Sequence, residues 1–332
     1  MRAVEMTAVG GPDVLHLVEV PEPEITGEHD VKVRLRAAGI NPADAKQRAS
    51  GAIGGQLPVV LGADGAGVVE GIGSGVTRFS AGDEVYFCDG GFGTPGTYQK
   101  VRIVDERFLA RKPERLSFVE AAAAPLVTIT AWEALRERAR VSRDAFVLVQ
   151  AGAGGVGHMS VQIAQLAGAR VATTVSPGPK TNLAASLGAE LCIDYTSEDV
   201  GVRVRDWTGA DGADVVHDTV GGRTFTACFS LTRPYGDLVS NVESPWVDEA
   251  IQAMHERNLR VSFTWMPAPM VFGWDAQRER QRGILEQAAV HFDARELRVH
   301  VGATFPLERA ADAHRALEAG QIIGKTVLTM ES

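Results

Sequence analysis

The chain has 332 residues, 45% of them hydrophobic and 23% charged, a length too great for one ordinary core and a composition typical of globular proteins. It is therefore expected to fold throughout, as two domains with a cleft between them. Lys and Arg number 33 against 42 Asp and Glu, and the resulting charge of -9 disfavours nucleic acid and anionic membrane as partners.

No apolar run reaches the length of a signal peptide or membrane span, so a cytoplasmic location is expected. Cys88, Cys192 and Cys228 lie far apart and spell neither a disulfide framework nor a short-spaced metal motif. The first third reads as short strands broken by Gly, Pro and Asp. Residues 31–40 alternate polar and apolar, residues 62–73 are glycine-rich, and residues 82–87 form another short strand, which together predict a β barrel or sandwich. From Ser117 an alanine-rich helix start, a break at Pro125 and an amphipathic helix to about Arg138 make a connector.

From Ala145 to Tyr195 buried strands and helices alternate as βαβαβ, a pattern that demands a parallel sheet with right-handed crossovers. Further strands are predicted within residues 211–222, 236–242 and 259–265, then a polar helix over about 275–292, a last helix within 305–320 and a final strand at 324–330. The fold class is α/β.

The strongest local signal is VLVQAGAGGVGHMSVQIA, where Gly152, Gly154 and Gly157 form G-x-G-x-x-G between an apolar strand and a helix. In that setting the first glycine permits the tight turn, the second clears room for a pyrophosphate and the third lets the helix pack on the sheet. Gly152, Ala153, Gly154, Gly155, Val156 and Gly157 are thus the expected phosphate cradle, with N–H groups and the positive helix end facing the anion. NAD enzymes place an acidic residue about 20 positions later, against the ribose. Here that stretch is Thr173, Thr174, Val175 and Ser176, with Lys180 following. No carboxylate is there to repel a 2′-phosphate, Ser176 can donate to one and Lys180 can bring positive charge, so NADPH is the expected cofactor.

With this turn placed mid-chain, the order of parts resembles the medium-chain dehydrogenase/reductase superfamily. The residues that carry the resemblance are INPADAKQRASG at 40–51, GADGAGVVEGIGSGVTRFSAGDEV at 62–85, TAWEAL at 130–135, LGAELCIDY at 187–195 and the terminal GKTVL. The pattern is most similar to the zinc-free, zeta-crystallin-like quinone oxidoreductases. The resemblance implies a GroES-like, β-rich catalytic domain over residues 1–122, a Rossmann NADPH-binding domain over 123–265, a return to the catalytic domain over 266–332, and a homodimer.

Alcohol dehydrogenases of this fold place zinc ligands at the segments reading AAGINPAD and GADGAG. Asn41 and Gly62-Ala63-Asp64 replace that pattern, and His16, His29 and Asp64 remain only as isolated candidates, so no metal is expected. By resemblance Asn41 is a donor in the cleft with Asp44 as its orienting partner, although the same residues suit a turn and helix cap. Thr128 and Thr130 are candidates to contact the nicotinamide or its ribose, or are hydroxyls that satisfy a helix start. Tyr195 aligns with a position touching the adenosine phosphate, and Val220, Asn241 and Phe263 with positions flanking the nicotinamide. Lys325 is a further cofactor candidate, or a solvated lysine beside the last strand.

One departure stands out. The tyrosine that follows N-P-x-D in enoyl-thioester reductases of this superfamily is replaced by Ala52 and Ile53, which argues against that activity. Trp265, Met266, Met270, Phe272 and Trp274 are expected to wall a hydrophobic substrate pocket, cover a dimer contact or pack as core. The expected function is zinc-independent hydride transfer from NADPH to a hydrophobic electron acceptor, a quinone or an α,β-unsaturated carbonyl compound. The alternatives are an NADP-dependent alcohol or carbonyl dehydrogenase and an NADPH-binding structural or sensor protein without turnover.

Overall fold

The computed structural model describes residues 1–51 and 56–330. By its contacts the chain divides into two compact units, one of Met1–Leu126, Pro267–Arg295 and Val299–Ser332, the other of Val127–Met266 with Glu296–Arg298.

The chain begins with β1 (Arg2–Met6), β2 (Leu15–Glu19), β3 (Asp30–Ile40), α1 (Pro42–Ser50), β4 (Val59–Val60), β5 (Asp64–Ile72), β6 (Glu84–Cys88), β7 (Val101–Asp105), β8 (Ala110–Arg111) and α2 (Phe118–Ala123). Helix α3 (Pro125–Trp132) carries the boundary between the units. The inserted unit continues through β9 (Phe146–Val149), α4 (Gly155–Leu166), β10 (Arg170–Val175), α5 (Pro179–Ser186), β11 (Leu191–Asp194), α6 (Val200–Thr208), β12 (Ala213–Asp218), α7 (Arg223–Leu231), β13 (Thr232–Ser240), α8 (Asp248–Glu256) and β14 (Arg260–Phe263). The return consists of α9 (Ala268–Phe272), α10 (Asp275–Asp293), β15 (Val301–Pro306), α11 (Ala310–Glu318) and β16 (Lys325–Thr329).

In the first unit, among the described residues, a small sheet runs β2-β1-β4 and a seven-stranded sheet runs β15-β16-β3-β5-β6-β8, with β7 also paired to β3. Strand β3 organises the larger sheet. Its first half alternates buried and half-buried residues, whereas Ala37–Ile40 are all buried, because α2 packs on that end while β16 and β5 flank it. The approach is close enough that a Cβ on Gly39 would meet the Ala122 carbonyl oxygen at 2.3 Å, which accounts for the small residues of AAGI. Val31, Val33, Leu35, Val69, Val85, Phe87 and Leu328 fill the core beneath, each burial contributing about 1.5–3 kcal/mol.

In the second unit the six strands are all parallel, in the order β11-β10-β9-β12-β13-β14. Relabelled within the unit this is 3-2-1-4-5-6, the doubly wound Rossmann order, whose ligand position is at the carboxyl ends of the strands where the order reverses. The connector differs from expectation: α3 is buried on nearly every side rather than amphipathic, since PLVTITAW has only two threonine hydroxyls and the Trp132 indole N–H as polar side-chain groups, and it continues as a π-helical turn over Glu133–Arg138. Ser117 caps α2, accepting from the Glu120 N–H at 3.3 Å while Glu120 accepts from the Ser117 N–H at 2.9 Å. No helix among the described residues is long and apolar enough to cross a membrane.

Candidate active site

Strand register assembles a buried polar centre in the first unit. Asn41 follows the last residue of β3, Asp64 opens β5 opposite Gly39, and Lys325 opens β16 next to the Thr326–Ile40 pair. All three side chains are thereby forced together with almost no solvent access, at 1%, 0% and 3% exposure. The Asn41 amide donates to Asp64 Oδ2 at 2.9 Å and its Oδ1 accepts from the Lys325 ammonium. Lys325 also donates to the Ile40 carbonyl at 3.2 Å and to Asp64 Oδ2 at 3.4 Å. Asp64 Oδ1 accepts from the Leu126 N–H at 2.8 Å, and the Cys88 thiol on the adjacent strand is also bonded to it. Burial pushes the Asp64 carboxyl up against the pull of Lys325, Asn41 and Leu126. With donors converging on both oxygens it serves this centre as a carboxylate.

Asp44 takes the helix-cap place that its spacing allowed: it accepts from the Asn41 backbone N–H at 2.8 Å, the role of the third residue in a capping box, and from the Tyr98 hydroxyl at 3.2 Å. The Asn41 side chain is also bonded to Asp64 and Lys325. Burial, reinforced by the neighbouring Asp64 charge, pushes the Asp44 carboxyl up to about 7. Tyr98 extends the network to His314 Nε2 at 3.1 Å, and burial pushes the His314 imidazole down to about 4. Tyr98, His314 and the central role of Asp64 were not legible in the sequence. A carboxylate inside the small-residue run GADGAG, and a lysine heading an apolar strand, were the available signals, because a buried charge needs a partner.

The second unit builds a separate centre at the carboxyl ends of its parallel strands. After β9, Gln150 accepts at its carbonyl from Thr219 Oγ1 at 2.7 Å and at its side chain from Thr174 Oγ1 at 2.7 Å. Thr174 Oγ1 also receives the Ala151 N–H at 3.0 Å, and Thr173 Oγ1 donates to the Val149 carbonyl at 2.6 Å. These buried hydroxyls strut the turn, which then passes through Gly152 and Ala153 to Gly154, the N-cap of α4, with Gly155, Val156 and Gly157 in the first turn. A Cβ on Gly152 would meet Thr173 Oγ1 at 2.1 Å, and one on Gly157 would meet the Ala151 carbonyl oxygen at 2.1 Å. Gly154 differs: its Cβ would come within 3.2 Å of the Ala151 carbonyl oxygen but otherwise faces open space. That is the arrangement of a cradle whose middle glycine is kept bare for a ligand.

Ser176, just past β10, and Lys180, in the first turn of α5, are both half-buried. The carboxylate in register with Val175 is Asp194, on β11, and it turns to its own loop, accepting from the Thr196 N–H at 2.9 Å and Ser197 Oγ at 2.7 Å. Tyr195 and Val220 are exposed, Asn241 is half-buried, and Phe263 ends β14 with its ring against Phe225 and Trp246. Asp218, at the end of β12, accepts from the Val220 and Gly221 N–H groups at 3.1 and 3.0 Å and from Ser240 Oγ at 2.7 Å, and so holds the loop that presents Val220. Thr128 and Thr130 are buried on α3.

Lys325 is not a solvated lysine, because its ammonium is bonded within the first unit. Of the aromatic-rich segment, Met266 is buried whereas Trp265, Phe272 and Trp274 are exposed, so it is not simply packing core. Ala52 and Ile53 lie outside the described residues.

Residues 27–114 match the alcohol dehydrogenase GroES-like domain and residues 187–328 the zinc-binding dehydrogenase domain. Along 329 residues the chain is 31% identical to a quinone oxidoreductase of Pseudomonas aeruginosa, covering 98% of this chain and 99% of that one. The chain belongs to the quinone oxidoreductase family of the medium-chain dehydrogenase/reductases. Within that family's wider circle it is 33% identical to a 2-haloacrylate reductase of Burkholderia sp, covering 96% of each chain. Its fold superposes on the Escherichia coli quinone oxidoreductase complexed with NADPH with a TM-score of 0.88, at 29% identity over 99% of this chain and 100% of the other.

The zinc-binding description of one matched domain invites a check of the ligands. Among the described residues no group of three or more His, Cys, Asp or Glu side chains is placed to hold a metal ion. His16 is exposed on β2, His29 pairs with Glu106 at 2.9 Å, and Asp64 is engaged with Lys325.

His217, on β12 beneath the second centre, yields a pH prediction. Burial pushes its imidazole down to about 4 against an opposing pull from the Asn241 side chain. A folded value below the unfolded one of about 6.5 means stability is lost as pH falls from there through about 4. His314 acts with the same sign, while Asp44, raised to about 7, loses its contribution as pH rises through that value. His217→Leu should therefore leave urea stability at pH 7.5 little changed and raise it by about 2 kcal/mol relative to the parent near pH 4.5. Equal shifts at both pH values would rule out titration of His217 as a source of acid sensitivity.

Proposed function

We propose that this chain is an NADPH-dependent, zinc-independent oxidoreductase that delivers hydride to a quinone or an α,β-unsaturated carbonyl compound. The observation that carries the reading is the turn after β9, in which two glycines are demanded by packing and Gly154 is left open toward a ligand. The end of β10 adds to it. A dinucleotide lying along that edge would meet Ser176 and Lys180 with no free carboxylate against its 2′-phosphate. The NADPH complex of the Escherichia coli relative supports the same choice.

NADPH, when bound, supplies a hydride from its nicotinamide. The chain's part is to hold the pyrophosphate on the N-terminus of α4, to grip the 2′-phosphate with Ser176 and Lys180, and to flank the cofactor with Tyr195, Val220, Asn241 and Phe263. Asn41 is the proposed donor to the acceptor oxygen that gains charge, with Thr128 and Thr130 on the cofactor side. Overall the acceptor gains a hydride from the cofactor and a proton from solvent, and NADP+ is left. An acceptor already electron-poor through conjugation needs no metal to polarise it, and the ammonium at Asn41 and Asp64 leaves no open position for one. The 2-haloacrylate reductase favours keeping conjugated alkenes beside quinones as acceptors. A homodimer is part of the proposal, supported by the edge strand β14, where Phe263 and Trp246 pack together yet remain exposed.

The test is NADPH against NADH oxidation with 1,4-benzoquinone, 9,10-phenanthrenequinone and a simple enone, before and after exhaustive chelation. NADPH-preferring turnover unchanged by chelation is expected, and activity lost on chelation would instead favour a metal-dependent alcohol dehydrogenase. Lys180→Ala should raise KM for NADPH about 5- to 10-fold, the equivalent of about 1 kcal/mol, while leaving KM for NADH unchanged. An equal rise for both cofactors would remove Lys180 from the 2′-phosphate.

A further inference from the structure

A lysine that is 97% buried needs a reason, because an ammonium out of water is stable only when its donors are taken up. Lys325 has three donors and three acceptors around it: the Ile40 carbonyl, Asn41 Oδ1 and Asp64 Oδ2. Simple neutralisation of Asp64 does not account for this set, because two of the three acceptors are neutral and one is the side chain of Asn41.

The chemistry of the two flanking charges fixes which way the Asn41 amide faces. A protonated lysine only donates, so the atom beside it must be the amide oxygen. A carboxylate only accepts, so the atom beside Asp64 must be the amide nitrogen. The observed contacts have this arrangement, with Nδ2 to Asp64 at 2.9 Å and Oδ1 to Lys325. One Nδ2 proton is used on Asp64 and the second remains for another partner. The flipped form would put the amide oxygen against the Asp64 carboxylate and an N–H against the ammonium, so the two charges fix the orientation from both sides. A flipped Asn41 would turn its oxygen toward whatever the second N–H would have met, which repels a developing oxyanion instead of stabilising it.

We infer that Lys325 is a positioning residue: with Asp64 it locks the Asn41 amide so that an N–H, and not the carbonyl oxygen, is presented for hydride-transfer chemistry. The inference rests on the proposed role of Asn41 as donor. It takes Lys325 away from the cofactor and gives its burial a purpose.

The decisive variant is the D64N/K325M pair, which removes both buried charges together and so avoids leaving either one unpaired. Three quantities are read: Tm, NADPH affinity by fluorescence titration, and kcat with 1,4-benzoquinone. The expected result is Tm within a few degrees of the parent, NADPH Kd within about twofold, and kcat lower by about 10- to 100-fold, the usual loss when an outer partner that orients a working group is removed. A kcat within about threefold of the parent would overturn the inference, because the two charges would then do no more than balance each other. A fall in NADPH affinity matching the fall in kcat would overturn it also, by returning Lys325 to the cofactor.

Neutron diffraction from the unaltered protein gives an independent reading. Amide deuterons of Asn41 on the Asp64 side support the lock, and deuterons on the Lys325 side refute it. Absence of turnover by the parent with every acceptor would sink the proposed function while leaving the neutron result to decide the orientation.

Discussion

Gly157→Ala should lower NADPH affinity by about 100-fold and lower Tm with it, whereas Gly154→Ala should lower affinity by at least about tenfold and leave Tm nearly unchanged. The difference follows from what each new methyl group meets. At residue 157 it would lie 2.1 Å from the Ala151 carbonyl oxygen and 3.0 Å from Gly152 Cα, both backbone, so α4 has to move away from the turn. Such overpacking costs about 1–3 kcal/mol. At residue 154 the nearest atom is the Ala151 carbonyl oxygen at 3.2 Å, a contact that a small adjustment relieves. The methyl group then occupies the space proposed for the pyrophosphate. Fluorescence titration with NADPH and a thermal melt of each variant separate the two effects. Parent-like affinity in Gly154→Ala would remove this turn as the pyrophosphate seat.

Asp64→Ala should destabilise the protein by about 3–5 kcal/mol, with Tm lower by on the order of 10 °C. The carboxylate is fully buried, and its loss strands the Lys325 ammonium, the Asn41 amide, the Leu126 N–H and the Cys88 thiol at once. An uncompensated buried cation dominates that sum. D64N/K325M should recover most of the lost stability, since a buried pair removed together leaves no bare charge. Thermal and urea unfolding of the single and double variants measure the coupling. An Asp64→Ala protein within about 1 kcal/mol of the parent would mean that Lys325 is not held as a cation here.

The parallel sheet of the second unit was readable because its strands are short apolar runs separated by helical stretches, and because glycines punctuate the first turn. Helix α6 was overlooked: the valines of VGVRVRDWT alternate like a strand, although Val200, Val204 and Trp207 at helical spacing pack on the core, and its limits are set by an Asp199 cap bonded to the Val202 N–H at 2.9 Å and by Gly209 in the left-handed region at φ 64°. Strand β15 was likewise unassigned but for its last two residues, which were read into the helix after it, since half-buried strands of mixed polarity resemble loops. The N-P-x-D segment pointed to Asn41 and to its cap by Asp44, but not to the other partners of the Asn41 side chain. Asp44 is three residues away and suits a local cap, whereas Asp64 and Lys325 lie 23 and 284 positions distant and reach Asn41 only through strand register. Local pattern recovers groups that act within one turn and is blind to those that meet across a sheet.

The place of β16 also orders events during synthesis. Asn41 and Lys325 are 284 positions apart, and at about 5–20 residues per second the later one leaves the ribosome tens of seconds after the first. The whole inserted unit, with its sequential parallel strands, is made in that interval and can fold before the seven-stranded sheet has its β15–β16 edge. During that time the Asp64 carboxylate has no ammonium to face. A nascent chain would thus complete its parallel sheet first and its buried Asn41–Asp64–Lys325 centre last.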